Sequence, residues 1–278
     1  MGCDTGRPEN RFIRFMISVW ERTIPRPAQK SPRSAGHVIR PVAQLALLFL
    51  LILTSPAASD QTNFITRTQT AFQIAQQAYS ANSTNFTTAL ALGRAAFDFA
   101  EFSKSDDERE RLAQIGINAA KAALSFDANS APAHYYLGLN ISQLARTKKL
   151  GALKLVTEME SALESSIALD PKYENAGAMR TLSVLYREAP GWPMSIGNKT
   201  KARTLMERAL QLAPSYPASH LNYMEALQKW RDFKSLAERI AIYEALLPKA
   251  QKEFTGEHWE DEWADWTRRW ETIKSKRK

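Results

Sequence analysis

The sequence predicts an all-α protein built from stacked pairs of helices. Its composition is 44% apolar and 24% charged over 278 residues, which is typical of a chain that folds. Glycine is scarce at 11 residues, and good helix formers dominate after the first sixty positions, which favours helix over sheet. A phrase that recurs at the ends of predicted helices indicates a repeat, and therefore a helical solenoid.

The first 59 residues are predicted to be a basic N-terminal region followed by a secretory signal. Residues 42–53 read VAQLALLFLLIL, a run too short for a bilayer core, since twelve residues rise only about 18 Å as a helix. Small residues at Ala57 and Ser59 suit a signal peptidase. We therefore expect cleavage near Ser59 and a periplasmic or secreted product. Two alternatives stay open, a start at Met16 and an uncleaved anchor, which would be the expected membrane contact if there is one.

The net charge of +8 does not indicate nucleic-acid binding once it is divided along the chain. Residues 1–59 carry eight Lys and Arg against three Asp and Glu, which leaves 29 against 26 for the remainder. Apart from a short basic tail at 274–278, no basic stripe is left that would match a phosphate backbone. The sequence predicts no nucleic-acid partner.

Metal, cofactor and catalytic sites are not expected. The only cysteine is Cys3, so the predicted exported part has neither a disulfide nor a thiolate site. His134, His220 and His258 are far apart, and the sequence has no His-x-x-x-His, glycine-rich phosphate loop or Gly-x-Ser-x-Gly motif. We predict a protein that is not an enzyme.

The repeat follows from the phrases AALSFDA, SIALDP, RALQLAP and EALLP. Their last residues are Ala128, Pro171, Pro214 and Pro248, at steps of 43, 43 and 34. Thirty-four residues is the period of the tetratricopeptide repeat, in which helix A carries a Leu-Gly pair and helix B carries small residues where the two helices meet. Leu92-Gly93 and Leu137-Gly138 resemble the first feature. The small residues five positions before each end marker resemble the second: Ala123, Ser166 and Ala209.

Each of the first three units is longer than the standard repeat. We place the excess between helix A and helix B of each unit, around SKSDDERE, RTKKLGAL and APGWPMSIG. Insertions at equivalent positions of a solenoid stack along one edge, so they are predicted to form a rim of loops. Prolines, Pro248 among them, are expected at joints, and Asn198 is placed to cap the helix that follows it. The helices are predicted at 61–80, 87–103, 106–126, 131–146, 152–169, 173–188, 199–212, 215–230, 233–247 and 257–273.

The segment from Ala131 to Leu247 resembles a known family. Its Pro/Trp-Gly loop (Pro190 to Gly197), followed by a Lys- and Ala-rich helix that ends in ALQLAP, is similar to the tetratricopeptide T-component of tripartite (TRAP) transporters. The resemblance implies an extracytoplasmic helical-repeat protein that binds another protein, such as the solute receptor of an uptake system. The family's lipid-bearing cysteine is missing here, and the C-terminal tail is longer.

Partner-binding residues are predicted on the helix A positions that line the concave groove of such an array. Asn140, Arg180 and Asn222 are polar residues on inward-facing helices and are expected to be exposed in this groove, together with Tyr223. Tyr136 and Leu137 are expected to pack.

Trp192, between Gly191 and Pro193, has two interpretations. The indole either folds back over its own repeat, as most large aromatic side chains do, or stands on a rigid loop as a partner anchor.

The tail EHWEDEWADWTRRW is predicted to be a helix that caps the array. Trp259, Trp263, Trp266 and Trp270 recur at steps of 4, 3 and 4 and share one helix face, with Trp230 as an expected neighbour. A repeat array needs a terminal helix that covers the last unit. Together, these observations predict a signal region (1–59), a repeat domain (60–256), and a capping helix with a basic tail (257–278). The predicted function is a non-catalytic scaffold for a protein or peptide. The alternative is a small-ligand or glycan binder that uses Trp192 and the C-terminal aromatic residues.

Overall fold

Helices make up nearly all of the computed structural model, which describes residues 56–148 and 152–276. No strand occurs in these residues, and one isolated backbone bridge joins Gly191 and Gly197. The helices are α1 (Pro56–Ala81), α2 (Phe86–Ala100), α3 (Asp106–Phe126), α4 (Ala131–Thr147), α5 (Ala152–Leu169), α6 (Tyr173–Glu188), α7 (Lys199–Leu212), α8 (Pro217–Lys229), α9 (Phe233–Glu253), a 3₁₀-helix (Glu257–Trp259) and α10 (Glu260–Ser275).

The helices form four consecutive pairs: α2 with α3, α4 with α5, α6 with α7, and α8 with α9. We call these units 1 to 4, and in each unit the first helix is helix A and the second is helix B. Neighbouring helices pack along the chain, and each helix A also contacts helix A of the next unit. Helix α1 packs on α2, and α10 contacts α8. The prediction of an all-α helical-repeat solenoid is confirmed. The predicted signal, including residues 42–53 and Cys3, lies outside the described residues and stays a prediction.

Close contacts between paired helices occur where the sequence placed them. A Cβ added to Gly138 would lie 2.9 Å from two carbons of the Leu163 side chain, and one added to Gly93 would lie 3.4 Å from the backbone nitrogen of Ala120. The predicted small residues of helix B, Ala123, Ser166 and Ala209, are all buried. Small side chains therefore allow helix A and helix B to approach in units 1 to 3.

Side-chain caps determine where several helices begin. Asn85 Oδ1 accepts hydrogen bonds from the backbone nitrogens of Thr87 and Thr88, and Ser105 and Ser130 cap α3 and α4 in the same way. Asn198 Oδ1 accepts a bond from the Lys201 nitrogen at 2.9 Å, so the predicted cap of α7 is confirmed. Such caps satisfy backbone donors that have no partner within the helix.

The predicted rim of three inserted loops is wrong for units 1 and 2. There α2 ends at Ala100 and α3 begins at Asp106, and α4 ends at Thr147 and α5 begins at Ala152, because the extra residues lengthen the helices instead. The stretch SKSDDERE supplies the Ser105 cap and three acidic residues in the first turn of α3, where negative charge stabilises a helix. Among the connections that are described in full, that of unit 3 is the extended one, 189–198.

The predicted helix end at Pro248 is also wrong, because α9 continues to Glu253. A proline inside a helix removes one backbone donor and usually kinks or ends the helix. Here the following turn is held by tertiary packing, since Ala250 is buried and Phe254 stacks edge-on against Trp259 at 4.9 Å between ring centroids. Burial of the Ala250 and Phe254 side chains offsets the lost hydrogen bond.

Candidate functional site

The inner helices of the array are buried around almost their whole circumference. Every residue from Ala176 to Arg187 on α6 is buried, as are nearly all residues of α8. A helix buried on all faces has neighbours on all sides. The expectation that Asn140, Arg180 and Asn222 are exposed in a groove is therefore wrong, and Tyr223 is buried as well. These four side chains therefore have no accessible surface with which to contact a partner.

Asn140 bridges two units instead of facing a groove. Its side chain is 0% exposed, and Nδ2 donates to the carbonyl oxygens of Gly93 and Tyr136, both at 2.8 Å. The amide lies directly over Gly116, where an added Cβ would come within 1.9 Å of Oδ1. A buried amide with two carbonyl acceptors stabilises the joint between units 1 and 2.

Arg180 donates hydrogen bonds to the first turn of its own helix. Glu174, Asn175 and Ala176 have positive φ angles of 51°, 56° and 60°, which are costly for residues other than glycine. The guanidinium donates to the carbonyl oxygens of Glu174 and Asn175 and lies 4.4 Å from the centroid of the Tyr216 ring. Arg180 thus stabilises an irregular turn and links α6 to the start of α8.

Asn222 and Tyr223 contact other parts of the chain. Asn222 Oδ1 accepts a hydrogen bond from Arg269 of α10 at 2.6 Å, and its carbonyl oxygen accepts one from Arg187. The Tyr223 hydroxyl donates to Glu207 of α7 at 2.7 Å and accepts from Arg203. The sequence placed these residues on the correct helices, but it gave no signal for the segment that covers them.

The C-terminal segment covers the inner face of α8. Arg269 forms a two-pronged ion pair with Glu225 of α8 (2.7 and 2.9 Å), and Gln228 donates to the carbonyl oxygen of Ile273. At the other end of the segment, Glu257 pairs with Arg67 of α1 at 2.8 Å. The predicted cap therefore does more than close the last unit, because it also joins the two ends of the array.

The tryptophans of this segment are core residues. Trp259, Trp266 and Trp270 are buried, Trp266 to 1% exposure, and Trp263 donates from Nε1 to the carbonyl oxygen of Phe254 at 2.7 Å. Trp230 packs against the same cluster, as predicted. The interpretation as packing is confirmed, and the alternative of a glycan platform made by the C-terminal aromatic residues is wrong, since most of the ring surface is covered.

The connection 189–198 presents two large apolar side chains to solvent. Its backbone is closed by hydrogen bonds from Gly197 N to Pro190 O (2.7 Å) and from Asn198 N to Tyr186 O (2.9 Å). A Cβ at position 197 would lie 2.0 Å from the Ala189 carbonyl oxygen, so only glycine fits. Trp192 is 89% exposed and Met194 is 61% exposed. The interpretation that the indole folds back over its repeat is wrong.

Trp192→Ala is expected to change the free energy of unfolding by no more than about 0.5 kcal/mol, because an exposed ring makes few contacts to lose. Thermal unfolding followed by circular dichroism checks this. A melting midpoint several degrees below that of the parent protein would show that the ring packs in solution.

A second surface feature, which the sequence did not reveal, is a groove between the outer helices α5 and α7. It encloses about 580 Å³, and its floor includes Leu182 and Tyr186 of α6. The Tyr186 hydroxyl donates to Glu160 at 2.5 Å, and the Lys201 ammonium lies 3.3 Å from the Tyr186 hydroxyl oxygen. Burial raises the pKa of the Tyr186 phenol, and its hydrogen bond to Glu160 raises it further, so the ring stays neutral. The groove walls come from Glu164, Ile167, Ala168 and Pro171 on one side and from Thr200, Lys201, Thr204, Leu205 and Arg208 on the other.

Polar groups border an apolar centre in this groove. Ile167, Leu182 and Leu205 form the centre, while Lys201 pairs with Glu160 at one end (3.7 Å). Arg208 lines the groove farther along α7, and it makes no ion pair with any other residue of the described ranges. An apolar floor with a few polar groups at its edge is typical of a binding site.

Within residues 56–148 and 152–276, no group of three or more His, Cys, Asp or Glu side chains is placed to hold a metal ion. In the same part of the chain, no helix is both long and apolar enough to cross a bilayer.

The chain is similar to a protein family model and to solved structures. A family model described as RMD1-3: Regulator of microtubule dynamics protein 1-3 matches residues 57–180, which is less than half of this chain. The matched residues run from α1 into the first half of α6. Among solved structures, the chain is similar to "Crystal structure of MamA", with a TM-score of 0.45 and 21% identity over 73% of this chain and 98% of that chain. A comparison with curated proteins finds no match.

Proposed function

We propose that this protein is a non-catalytic helical-repeat scaffold that binds a helical segment of a protein partner in the groove between α5 and α7. One observation carries the proposal. The inner helices α4, α6 and α8, where an array of this kind ordinarily has its groove, are buried, α8 beneath the chain's own C-terminal segment, while the groove on the outer side is open. We therefore place the binding site on the outer face of the array instead of the inner face.

The spacing of the lining residues supports a helical occupant. On α5 they stand at 164, 167 and 168, with Pro171 just after the end of the helix, and on α7 at 200, 201, 204, 205 and 208. Both sets recur every three or four residues, so each helix contributes a single face to the groove. A third helix laid between two such faces buries its own apolar stripe, which is a recurring mode of peptide recognition. Arg208 offers a charge-assisted hydrogen bond to a carboxylate on that helix.

Trp192 stays the predicted partner contact outside the groove. The connection that carries it leads directly into Thr200 and Lys201, which line the groove, and it is bonded to the backbone of Tyr186 on the groove floor. Tryptophan is among the residues most enriched at the energetic centres of interfaces. A connection closed by its own hydrogen bonds loses little entropy when a partner binds.

An extracytoplasmic location and a role as accessory of a TRAP-type uptake system are the narrower form of the proposal. They are supported by the signal-like residues 42–53 and by the resemblance of the Pro190 to Pro214 segment to the T-component family. In this form the partner is a solute receptor. The match to regulators of microtubule dynamics ends at residue 180, before α7, and so leaves out one wall of the groove.

Photo-crosslinking in the source cells tests the proposal. Benzoylphenylalanine replaces Ala168, an exposed residue of the groove wall, in the full-length chain, and Ile242 on α9, 47% exposed, serves as the control position. We expect a discrete protein adduct at 168 and none at 242. Adding Thr204→Trp, which fills the groove from the opposite wall, is expected to abolish the adduct without changing the melting midpoint.

The identity of the adduct separates the two forms of the proposal. A solute receptor supports the uptake role, and a different protein leaves the scaffold but removes that role. Equal labelling at 168 and 242, or an adduct that survives Thr204→Trp, would mean that the groove is not the binding site.

A further inference from the structure

One edge of the solenoid carries exposed apolar side chains. The A-to-B connections of successive units lie along the same edge of a solenoid. Trp192 and Met194 belong to the connection of unit 3, and Phe233, 64% exposed, begins α9 directly after the connection of unit 4. Large apolar side chains at the tips of connections are costly to leave in water and often mark an interaction surface.

The connections of units 3 and 4 adjoin in space. The Lys199 ammonium, at the start of α7, lies 5.3 Å from the centroid of the Trp230 ring, at the end of α8. Arg203, one turn further along α7, pairs with Asp232 at 2.9 Å. The two connections therefore lie side by side, and we call their exposed side chains, with the cations that flank them, the edge patch.

The fixed charge of this patch is positive. Glu188 is neutralised by Arg187 at 2.6 Å and by Lys229 at 2.7 Å. Asp232 is neutralised by Arg203, and the hydrogen bond from that guanidinium lowers the pKa of the Asp232 carboxyl. By contrast, three cations of the patch have no ion pair with any residue of the described ranges: Lys199, Arg231 and Lys234.

We propose that this edge docks on an anionic phospholipid bilayer. Met194 and Phe233 enter the interfacial layer, where phenylalanine is favoured, and the three cations meet the headgroups, while Trp192 keeps the partner role proposed above. The apolar side chains project from connections flanked by cations, an arrangement complementary to the surface of such a bilayer. An apolar anchor for a protein partner would instead be complementary to a pocket on that partner. The inference goes beyond the proposed function, because the groove is walled by the lengths of α5 and α7 and remains open to a partner while the edge faces lipid.

A fluorescent probe placed on the edge tests this inference in the full-length chain. Cys3→Ser removes the only native cysteine. Met194→Cys or Phe233→Cys is then labelled with an environment-sensitive nitrobenzoxadiazole group, and Ile242→Cys on α9 is the control site. With vesicles of equimolar phosphatidylcholine and phosphatidylglycerol, we expect a blue shift and quenching by brominated lipid at 194 and 233, and neither at 242.

Charge removal completes the test. Lys199→Gln, Arg231→Gln and Lys234→Gln combined are expected to weaken binding to these vesicles on the order of 100-fold, since each cation near an anionic surface contributes about a fivefold factor in affinity and the three factors multiply. Pure phosphatidylcholine vesicles should give a much weaker response than the mixed ones. The proposal is overturned if the probes at 194 and 233 do not respond, if 242 responds equally, or if the triple variant binds as the parent does. A flat vesicle response with a protein adduct at the edge would assign the patch to a protein instead.

Discussion

Gly138→Leu is expected to lower the free energy of unfolding by about 2 kcal/mol. Leucine is a better helix former than glycine, which returns about 1 kcal/mol. Against this, the added Cβ would already lie 2.9 Å from the Leu163 side chain, which is fully buried. Forcing a larger side chain into a packed joint costs about 3 kcal/mol. Urea denaturation followed by circular dichroism measures the difference.

Gly191→Leu is the matched control for this substitution. A Cβ at Gly191 would have its nearest neighbour, the Gly197 carbonyl oxygen, at 3.7 Å, and the residue is exposed on the connection of unit 3. The same change in size should therefore leave stability within about 0.5 kcal/mol of the parent. Equal losses in both variants would show that the α4–α5 joint is not tightly packed.

Local chemistry made most of the helices and their joints predictable. The Asn198 side chain caps α7 because it stands directly before a run of helix formers, and its geometry depends on residues no more than three positions away. Gly138 could be placed at a close contact for a similar reason, since the repeat fixes which turn of helix A meets helix B. Where the outcome depends on neighbours along the chain, the sequence is sufficient.

The features that the sequence did not predict depend on contacts between segments that are far apart along the chain. Asn222 is a polar residue on an inner helix, and only the position of Arg269, 47 residues later, shows that its amide oxygen is bonded and not free for a partner. The sequence does not indicate this hydrogen bond, because an asparagine is written in the same way whether its side chain is buried or exposed. The groove between α5 and α7 is likewise a property of the space between two helices that are not consecutive.

Trp192 shows the limit of general tendencies. Most large aromatic side chains are buried, and that tendency favoured a packed indole. The connection from Ala189 to Asn198 instead closes on itself through backbone hydrogen bonds, and its ring is left outside. Whether a ring is buried depends on the path of its connection, which pattern and propensity do not specify.

Arg269→Ala is expected to lower the free energy of unfolding by about 3 kcal/mol and to release α10 from the inner face. The guanidinium is buried and supplies hydrogen bonds to both Glu225 carboxylate oxygens and to Asn222 Oδ1. Its removal leaves a partly buried carboxylate and a buried amide oxygen without their strongest partner, and breaking a buried pair in this way costs about 3 to 5 kcal/mol. The lower end applies because Arg187 remains 3.6 Å from Glu225.

Arg268→Ala provides the control on the same helix, because its side chain is 40% exposed and pairs with Asp265 one turn earlier. Although the Asp265 side chain is only 13% exposed, a pair with one partly exposed partner contributes at most about 1 kcal/mol. Tryptophan fluorescence separates release of α10 from general loss of stability, since Trp266 and Trp270 leave the core only if the helix detaches. A red-shifted emission at low urea, before helicity is lost, is therefore expected for Arg269→Ala alone. If Arg268→Ala and Arg269→Ala behave alike, the ion pair with Glu225 does not hold the C-terminal segment in place, and the inner face is open to partners after all.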